Sequence, residues 1–478
     1  MAAGKEPLIK VGLICEPQFN IVLEGEFVAE DGARLGSGGY VARRSGSGVT
    51  LEGSAGIQFN ARGSDTIAIA PVNFESSKFT VHGVTIGIDF HWQRRESQTF
   101  QGSLIIKAEG PDLRAINELP LESYLVSVIS SEMSASSPAE LLKAHSIISR
   151  SWLLAQLEEA KRAAGGPDGG AAKTDTPESG DEIIRWYTRE AHRGFDVCSD
   201  DHCQRYQGIG KAFSASAFDA VSATRGQVVT SAGEICDARY SKCCGGITER
   251  YSAAWDDKPV SYLSSIYDGD TGGPDLISQD RISSYGFPLS IEGNAARWIT
   301  SAPEAFCNVN SESVLSRILP GFDQETADFY RWRVSYTASE LRQIVRDRLG
   351  VDVGEVRDMA ALERGDSGRI IRLQITGGRR TIVVGKELEI RRALSRSHLY
   401  SSAFVIAKGR PPVPTGDVSR EKVSASAENE DVFTLIGAGW GHGVGLCQIG
   451  AAVMAERGFT HGQILTHYFT GAELRSID

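Results

Sequence analysis

Glu132 is the residue whose place in the sequence best suits acid catalysis. It lies in a short joint, Ser131 to Ser136, between two stretches in which apolar residues recur at helical spacing. A carboxylic acid held against apolar surface has a raised pKa, so it keeps the proton that a general acid donates at neutral pH. The alternative is a solvated or capping glutamate, because most glutamates are exposed. On sequence context alone, the solvated or capping glutamate is the favoured interpretation.

A second group of residues has the composition of a metal site. His192, Cys198, His202 and Cys203 stand within about a dozen positions of one another. Two thiolates and two imidazoles are the ligand set of a tetrahedral zinc site, although the spacing is not that of a DNA-reading zinc finger. Three protein ligands with a water would make an open site, whereas four would make a closed structural one. The competing reading is structural cysteines beside surface histidines.

Glycine occupies every second position from Gly437 to Gly445, and Trp440 and His442 lie between these glycines. Dense glycines allow a close approach of the backbone to another group. Trp440 offers a flat apolar face to a sugar ring, and His442 offers a polar contact or a proton carrier. The run is therefore either one wall of a cleft or a purely structural glycine-rich strand. A dinucleotide site is not expected, because no βαβ unit surrounds the run.

Two adjacent cysteines, Cys243 and Cys244, precede a glycine turn. A vicinal disulfide would be strained, so we expect two thiols on opposite faces of a strand end, with one of them buried. We assign them no catalytic role. The chain has eight cysteines in 478 residues, too few for a small disulfide-stapled scaffold.

The elements that must position these residues are of two kinds. From Ile9 to about Lys107, short apolar runs separated by turn residues predict β-strands. From Leu119 the apolar spacing becomes helical, and a second helix is predicted to begin with a capping box formed by Ser137 and Glu140.

Further along, the segment from Ala163 to Asp181 has almost no large apolar residue and predicts a mobile loop. Strands return from Phe213, and a capped helix is predicted over 336–349. We therefore predict an α+β fold: a β-rich core with the two helices around Glu132 at its edge, and an additional N-terminal β region. The predicted domains are residues 1–103 and residues 104–478.

Composition limits the function classes. The net charge of -11 and a pI near 5.5 argue against a general nucleic-acid binder, which needs a dense basic surface. No run reaches the roughly 18 apolar residues of a membrane helix, and the N-terminal residues lack a long apolar signal core. We therefore expect no transmembrane segment, and either a protein that stays inside or one whose targeting segment was removed.

Four segments, taken in order, resemble the SpoIID/LytB family of bacterial cell-wall remodelling proteins. They cover roughly Leu104 to Leu474, and several co-linear motifs are more specific than any one alone. The segments are LPLESYLVSVISSEMSASSPAELLKAHSIISRSWLL, DVCSDDHCQRYQG, YSKCCGGITERYSAAWDD and GAGWGHGVGLCQIGAAVMAERGFTHGQILTHYFTGAEL.

The resemblance implies a lytic transglycosylase that cleaves peptide-stripped peptidoglycan glycan strands and leaves 1,6-anhydro-N-acetylmuramic acid ends. Glu132 matches the catalytic acid of the family's SEM motif. Zinc is implied at His192, Cys198, His202 and Cys203, where it would fix the loop beside the cleft and leave the sugar chemistry to the protein. The substrate-binding candidates in the matched segments are Trp440, His442, Arg150 and Gln448.

This chain departs from the family pattern beside Glu132, where members commonly have Pro after SEM and Gln-Ala in place of His145-Ser146. The alternative function is a glycan-binding amidase enhancer without catalysis, and a weaker alternative is a zinc-dependent hydrolase. The expected partners are glycan strands and a cell-wall amidase. The substrate implies a location in the cell envelope, although no export signal is visible.

Overall fold

The computed structural model describes residues 6–46, 48–53, 58–60, 64–88, 93–165, 178–186, 192, 194–200, 202–210, 214–270, 285–309, 312–319, 328–409 and 431–477. Over these residues the protein is α+β, as predicted, with helices and several β-sheets. Most of the predicted mobile loop, residues 166–177, lies outside the described residues. Its two ends belong to a helix that reaches Gly165 and to a strand at Glu178–Ser179.

The strands are short and distributed along the whole chain. Their bounds are β1 Leu8–Glu16, β2 Gln18–Glu24, β3 Phe27–Ala29, β4 Arg34–Leu35, β5 Gly38–Ser45, β6 Gly48–Gly53, β7 Gln58–Asn60, β8 Thr66–Pro71, β9 Lys78–Ile86, β10 Arg94–Phe100, β11 Ser103–Glu109, β12 Asp112–Pro120, β13 Glu178–Ser179, β14 Glu182–Ile184, β15 Val197–Cys198, β16 Gln227–Ser231, β17 Glu234–Ile235, β18 Tyr240–Ser241, β19 Arg331–Thr337, β20 Val356–Arg364, β21 Ile370–Gly377, β22 Thr381–Gly385, β23 Phe404–Gly409, β24 Val432–Ala438, β25 Leu446–Cys447 and β26 Glu473–Ser476.

The helices begin only after the first twelve strands. Their bounds are α1 Leu121–Glu132, α2 Ala139–Gly165, α3 Ala215–Ala223, α4 Glu292–Thr300, α5 Glu312–Ile318, α6 Ala338–Leu349, α7 Glu387–Ala393, α8 Gln448–Glu456 and α9 His461–Tyr468, and a short 3-10 helix spans Tyr251–Ala253.

The N-terminal strands form two sheets around one apolar core. One sheet has the order β15-β1-β12-β11-β8-β3-β4, and the other has the order β10-β9-β2-β5-β6-β7. Inward residues alternate with outward ones, as a half-buried sheet requires, and Phe27, Phe79 and Phe100 are fully buried between them. The predicted division at residue 103 stays a prediction, and hydrogen-bonded strands from both of its sides share the first sheet.

Helices α1 and α2 continue directly from these sheets, because α1 begins immediately after β12. Tyr124, Leu125, Val128 and Ile129 of α1 are fully buried and belong to the same apolar core as the N-terminal strands. The helix pair is therefore held against the sheets by apolar burial, which makes the position of its connecting joint well defined.

The predicted capping box at the start of α2 was wrong. The Ser137 hydroxyl donates to the Ile318 carbonyl at 3.3 Å, and the Glu140 carboxylate binds Lys143 and His461. Both side chains therefore bind residues that are distant in the sequence and do not form the capping box. The capped helix predicted over 336–349 is confirmed, since Thr337 and Glu340 form a capping box at the start of α6.

The C-terminal half adds smaller sheets. Their orders are β13-β14-β22-β21-β20, β17-β16-β26, β19-β24-β23 and the two-stranded pair β18-β25. The pair β18-β25 is parallel and joins Tyr240 to Leu446 and Ser241 to Cys447. It brings the glycine-rich segment near the C-terminus onto the chain that follows Asp237.

Within the part of the chain that the structure describes, we find no helix with the length and apolar character needed to cross a membrane.

Candidate functional site

Glu132 is the last residue of α1, and only 7% of its surface is exposed. The C-terminal end of a helix carries partial negative charge, so this position is electrostatically unfavourable for a carboxylate. The surrounding protein must therefore supply groups that compensate for both the burial and the helix dipole.

Two donors from distant segments supply this compensation. The backbone N–H of Arg205 donates to Glu132 Oε1 at 3.2 Å, and the Tyr240 hydroxyl donates to the same oxygen at 3.2 Å. Within the described ranges of the chain, Glu132 Oε2 makes no hydrogen bond. One oxygen of the carboxylate is thus fixed in position by two hydrogen bonds.

The expected rise in the pKa of Glu132 was wrong. Burial does raise this pKa, but the positive charges of Arg205 and Lys242, the nearby His145 and the hydrogen bond from Arg205 together bring it below its ordinary value. The sequence analysis considered only the apolar faces of α1 and α2. The cationic groups come from later segments of the chain, and they make the carboxylate form the favoured one.

His145 lies on α2 beside this pocket and is fully buried. Its Nε2 accepts a hydrogen bond from the Gln448 amide at 2.9 Å, so its Nδ1–H donates to Ser149 Oγ at 3.2 Å. Burial lowers the pKa of His145 to about 4, which leaves the ring neutral at pH 7. The ring packs edge-on against Tyr240 with 4.6 Å between centroids. Gln448 and His145 therefore position the tyrosine that binds Glu132.

The structure brings the four predicted metal ligands together. The ligand atoms of His192, Cys198, His202 and Cys203, named the local cluster here, all lie within 4.8 Å of one another. Cys203 Sγ is 3.6 Å from His192 Nε2 and 3.7 Å from His202 Nδ1, and Cys198 Sγ is 3.8 Å from His202 Nδ1. Ligands of a tetrahedral zinc ion would be about 3.6 Å apart for a sulfur and a nitrogen.

The chemistry of the donors in the local cluster also fits zinc. Interaction with Cys203 and with the two histidines lowers the pKa of Cys198 far below its ordinary value, so that the thiolate is favoured. The local cluster adjoins the pocket, because Arg205, which binds Glu132, follows Cys203 by two residues. A zinc ion bound there would fix the segment that carries this donor.

The glycine-rich segment adopts a backbone that other residues would disfavour. Gly443 and Gly445 have φ of 74°, and a Cβ at either position would overlap with Arg369 or with the backbone of Arg239. The glycines thus allow this segment to lie against its neighbours. This packing is compatible with both predictions for the segment, a structural glycine-rich strand and one wall of a cleft, because a closely packed segment can also line a cleft.

Trp440 and His442 have different surroundings within that segment. Trp440 is partly buried, packs against Tyr400 and Phe329, and pairs through its backbone with Cys243. His442 Nδ1 accepts a hydrogen bond from the Val444 N–H at 3.0 Å. Burial and nearby arginines lower the pKa of His442, so the ring is neutral. A neutral His442 suits a polar contact better than it suits proton transfer at pH 7.

Arg150 is not brought to the pocket. It is fully buried, and its guanidinium binds the Glu122 carboxylate at 2.9 and 2.6 Å and the Gln227 carbonyl at 3.1 Å. These bonds tie α2 to the first turn of α1 and to β16. Arg150 therefore stabilises the helix pair that presents Glu132, and its guanidinium binds Glu122 and Gln227 instead of facing the pocket.

Sequence reasoning missed four residues of the pocket: Arg205, Tyr240, Lys242 and the positioning residue His145. Each lies inside a segment that resembles the SpoIID/LytB family, but its type and spacing gave no sign of a contact with Glu132. The expectation for Cys243 and Cys244 was wrong in part, because both thiols are buried. Cys244 has Asp268, Cys307 and Cys447 as neighbours.

Comparison with known proteins places Glu132 and the local cluster in a recognised domain. The family model described as SpoIID, Stage II sporulation protein, matches residues 109–231, which include Glu132 and the local cluster. A second model, Domain of unknown function (DUF8618), matches residues 249–445. Tyr240 lies between the two matched ranges, and Gln448 lies just beyond the second.

Three curated proteins are similar to this chain. Stage II sporulation protein D of Bacillus subtilis (strain 168) is 21% identical over 365 residues, which are 76% of this chain and 77% of that protein. Stage II sporulation protein D of Bacillus amyloliquefaciens is 20% identical over 364 residues, 76% of each protein. The amidase enhancer of Bacillus subtilis (strain 168) is 25% identical over 280 residues, 56% of this chain and 34% of that protein. The chain therefore carries a SpoIID domain over residues 109–231 and is similar to stage II sporulation protein D and to the amidase enhancer.

Proposed function

We propose that this protein is a peptidoglycan lytic transglycosylase and that Glu132 is its catalytic acid. The observation that carries the proposal is the geometry of this carboxylate: Oε1 is held by two donors, while Oε2 makes no hydrogen bond among the described residues. A carboxyl group fixed in this way can present one oxygen to a glycosidic bond.

The proposed reaction uses Glu132 twice. Its protonated form donates a proton to the glycosidic oxygen as the C1–O bond breaks and C1 acquires oxocarbenium character. The resulting carboxylate then accepts the proton of the C6 hydroxyl of the same sugar, while O6 bonds to C1. The product is a 1,6-anhydro end, and no water is consumed. A single carboxylate therefore suffices, unlike the pair used by most glycosidases.

The cationic surroundings favour the first half of this sequence, in which Glu132 gives up its proton. Arg205 and Lys242 stabilise the Glu132 carboxylate that forms when the acid has lost its proton. The same charges reduce the protonated fraction of the free enzyme at neutral pH. We therefore expect cleavage to accelerate as the pH falls.

Other residues have proposed roles around this carboxylate. Trp440 would pack against a sugar ring, and His442 would contribute a polar contact as a neutral ring. Gln448 is buried and acts through His145 and Tyr240, so we assign it a positioning role. Zinc in the local cluster would hold the loop that carries Arg205 in place, and the glycan chemistry needs no metal-bound hydroxide.

The proposed substrate is a peptide-stripped glycan strand of peptidoglycan, which would place the protein in the cell envelope. The test is to incubate the purified chain with such strands and to detect 1,6-anhydro ends by mass spectrometry. We expect Glu132→Gln to lower the rate of product formation by about a thousandfold, within the range set by removal of a general acid. The control Glu140→Gln changes a carboxylate that lies outside the pocket and should leave the rate unchanged.

A second candidate is a glycan-binding amidase enhancer, and two observations favour it. The amidase enhancer of Bacillus subtilis is similar to 56% of this chain, and the lowered pKa of Glu132 suits a carboxylate that accepts hydrogen bonds from sugar hydroxyls. Two results together would favour the amidase enhancer over the transglycosylase. Glycan strands would bind the protein but stay intact, and an added cell-wall amidase would cleave its substrate faster in the presence of the protein. Activity lost at once on chelation, with the fold intact, would instead favour a zinc-dependent hydrolase.

A further inference from the structure

A second group of metal-ligating side chains lies away from the Glu132 pocket. We propose that Cys244, Asp268, Cys307 and Cys447, named the long-range cluster here, bind one zinc ion as a structural site. Each residue offers one ligand atom, and the four atoms lie within 4.8 Å of one another. This inference is independent of the proposed glycan cleavage.

The ligand atoms are spaced as co-ligands of one ion. With Zn–S bonds of about 2.3 Å, two sulfurs of a tetrahedral site lie about 3.7 Å apart, and a sulfur and an oxygen lie about 3.5 Å apart. Cys244 Sγ and Cys307 Sγ are 3.6 Å apart, and Cys244 Sγ is 3.3 Å from Asp268 Oδ2. The sulfur separation is far above the roughly 2.05 Å of a disulfide bond.

The four residues of the long-range cluster are also buried. Asp268 and Cys447 have no exposed surface, and Cys307 and Cys244 are 1% and 2% exposed. A carboxylate this deeply buried normally pairs with a cation or coordinates a metal. Across the part of the chain that the structure describes, Asp268 forms no ion pair. Its contacts include the Tyr468 hydroxyl at 2.7 Å and the Cys307 N–H at 3.1 Å.

The sulfur atoms also have the backbone environment of metal-bound thiolates. Cys447 Sγ accepts hydrogen bonds from the N–H groups of Cys244 at 3.2 Å and Gly450 at 3.4 Å, and Cys244 Sγ accepts one from Gly246 at 3.4 Å. Cys447 is the N-cap of α8, where the helix terminus favours negative charge. Such bonds orient thiolates and offset their charge when they bind a metal.

A zinc ion at this position would join four separate parts of the chain. Cys447 pairs with Ser241 in the sheet β18-β25, next to Tyr240, which donates to Glu132. Four protein ligands without an exposed position make a closed site, which is structural by the usual distinction. The ion would therefore fix the wall of the pocket that carries Tyr240.

The experiment measures zinc in the full chain by elemental analysis, after purification without chelators. The double variant Cys198→Ser with Cys203→Ser removes the local cluster. We expect it to keep about one zinc per chain, since the long-range cluster supplies a full set of four ligands. Adding Cys307→Ser should lower that content at least tenfold, whereas adding the matched control Cys236→Ser, another buried cysteine, should leave it unchanged.

A double variant that contains no zinc and takes up none when Zn²⁺ is added would overturn the proposal. Zinc that persists after Cys307→Ser would overturn it as well, because the ion would then lie elsewhere. If the Cys307→Ser chain does not fold, Co²⁺ bound to the double variant decides the question. Thiolate-to-cobalt charge transfer with tetrahedral d–d bands is expected, and a spectrum without thiolate charge transfer contradicts the site.

A disulfide within the long-range cluster is the competing state of the same thiols. The parent chain has eight cysteines, and all of them should be alkylated in denaturant without a reductant. A mass that shows two cysteines protected until a reductant is added would identify a disulfide and overturn the zinc assignment.

Discussion

The local cluster and the long-range cluster each adjoin a segment that donates a hydrogen bond to Glu132. The local cluster is partly exposed, and Arg205 follows it closely and donates a backbone N–H to Glu132. The long-range cluster is buried, and Tyr240, whose strand pairs with that of Cys447, donates a hydroxyl to the same oxygen. Glu132 therefore accepts one hydrogen bond from a segment next to a partly exposed cluster and one from a segment next to a buried cluster.

The largest expected difference between the clusters is in stability. Cys447→Ser should lower the free energy of unfolding by about 4 kcal/mol, because it disrupts the proposed buried metal site and leaves other polar groups unsatisfied. Cys203→Ser should lower it by about half as much, since water can solvate the remaining ligands of the partly exposed cluster. Denaturant titration measures both. Equal losses would remove the distinction between the clusters, and Cys15→Ser is the control outside both.

Loss of the local cluster should also slow glycan cleavage. Cys203→Ser should reduce the rate of glycan cleavage by about 10- to 100-fold, as loss of an outer support of a reactive group commonly does. The reason is that the Arg205 N–H loses its fixed position relative to Glu132. Product formation by mass spectrometry is the measurement. An unchanged rate in a zinc-free variant would show that the local cluster does not position this donor.

Tyr240→Phe tests the other hydrogen bond to Glu132 and changes the side chain less. It removes one hydrogen bond to a carboxylate and keeps the ring that packs against His145, so we expect a loss of about tenfold in kcat/KM. Tyr40→Phe is the matched control, because the hydroxyl of Tyr40 binds the Gly36 carbonyl in the N-terminal sheets. If Tyr240→Phe cleaves as fast as the parent, then Arg205 alone is sufficient to hold Glu132.

The smallest expected effect is on the pH dependence of activity. The pKa of Glu132 is lowered: burial raises it, but the charges of Arg205 and Lys242 outweigh burial. The proposed cleavage needs the protonated acid, so the rate should fall as the pH rises through this pKa. Lys242→Met removes one of the charges and should move the falling limb of kcat/KM to higher pH, with a gain of a few-fold at neutral pH. A limb that moves to lower pH contradicts the assignment.

A large part of the candidate site was readable from the sequence because it is local. The ligands of the local cluster stand within about a dozen residues, and the helical spacing on both sides of Glu132 predicts α1, α2 and their joint. The α+β fold class follows from the same spacing rules. These features depend on periodicity and on residue type, which are properties of short segments.

Other features could not be read in this way, because they depend on residues far apart in sequence. Glu132 is 73 residues before Arg205 and 108 before Tyr240, so neither donor was apparent, nor was the direction in which its pKa shifts. Arg150 was expected to face a substrate, whereas the fold buries it against Glu122.

The long-range cluster shows the division most clearly. Cys244, Asp268, Cys307 and Cys447 are spread over about two hundred residues, and no spacing rule connects them. The sequence by itself determined the fold class, the two helices on either side of the joint next to Glu132 and the local cluster, because each is set by neighbouring residues. Only the tertiary structure decided which groups share the charge of Glu132 and which thiols meet, because packing of distant segments sets both the contacts and the local electrostatics.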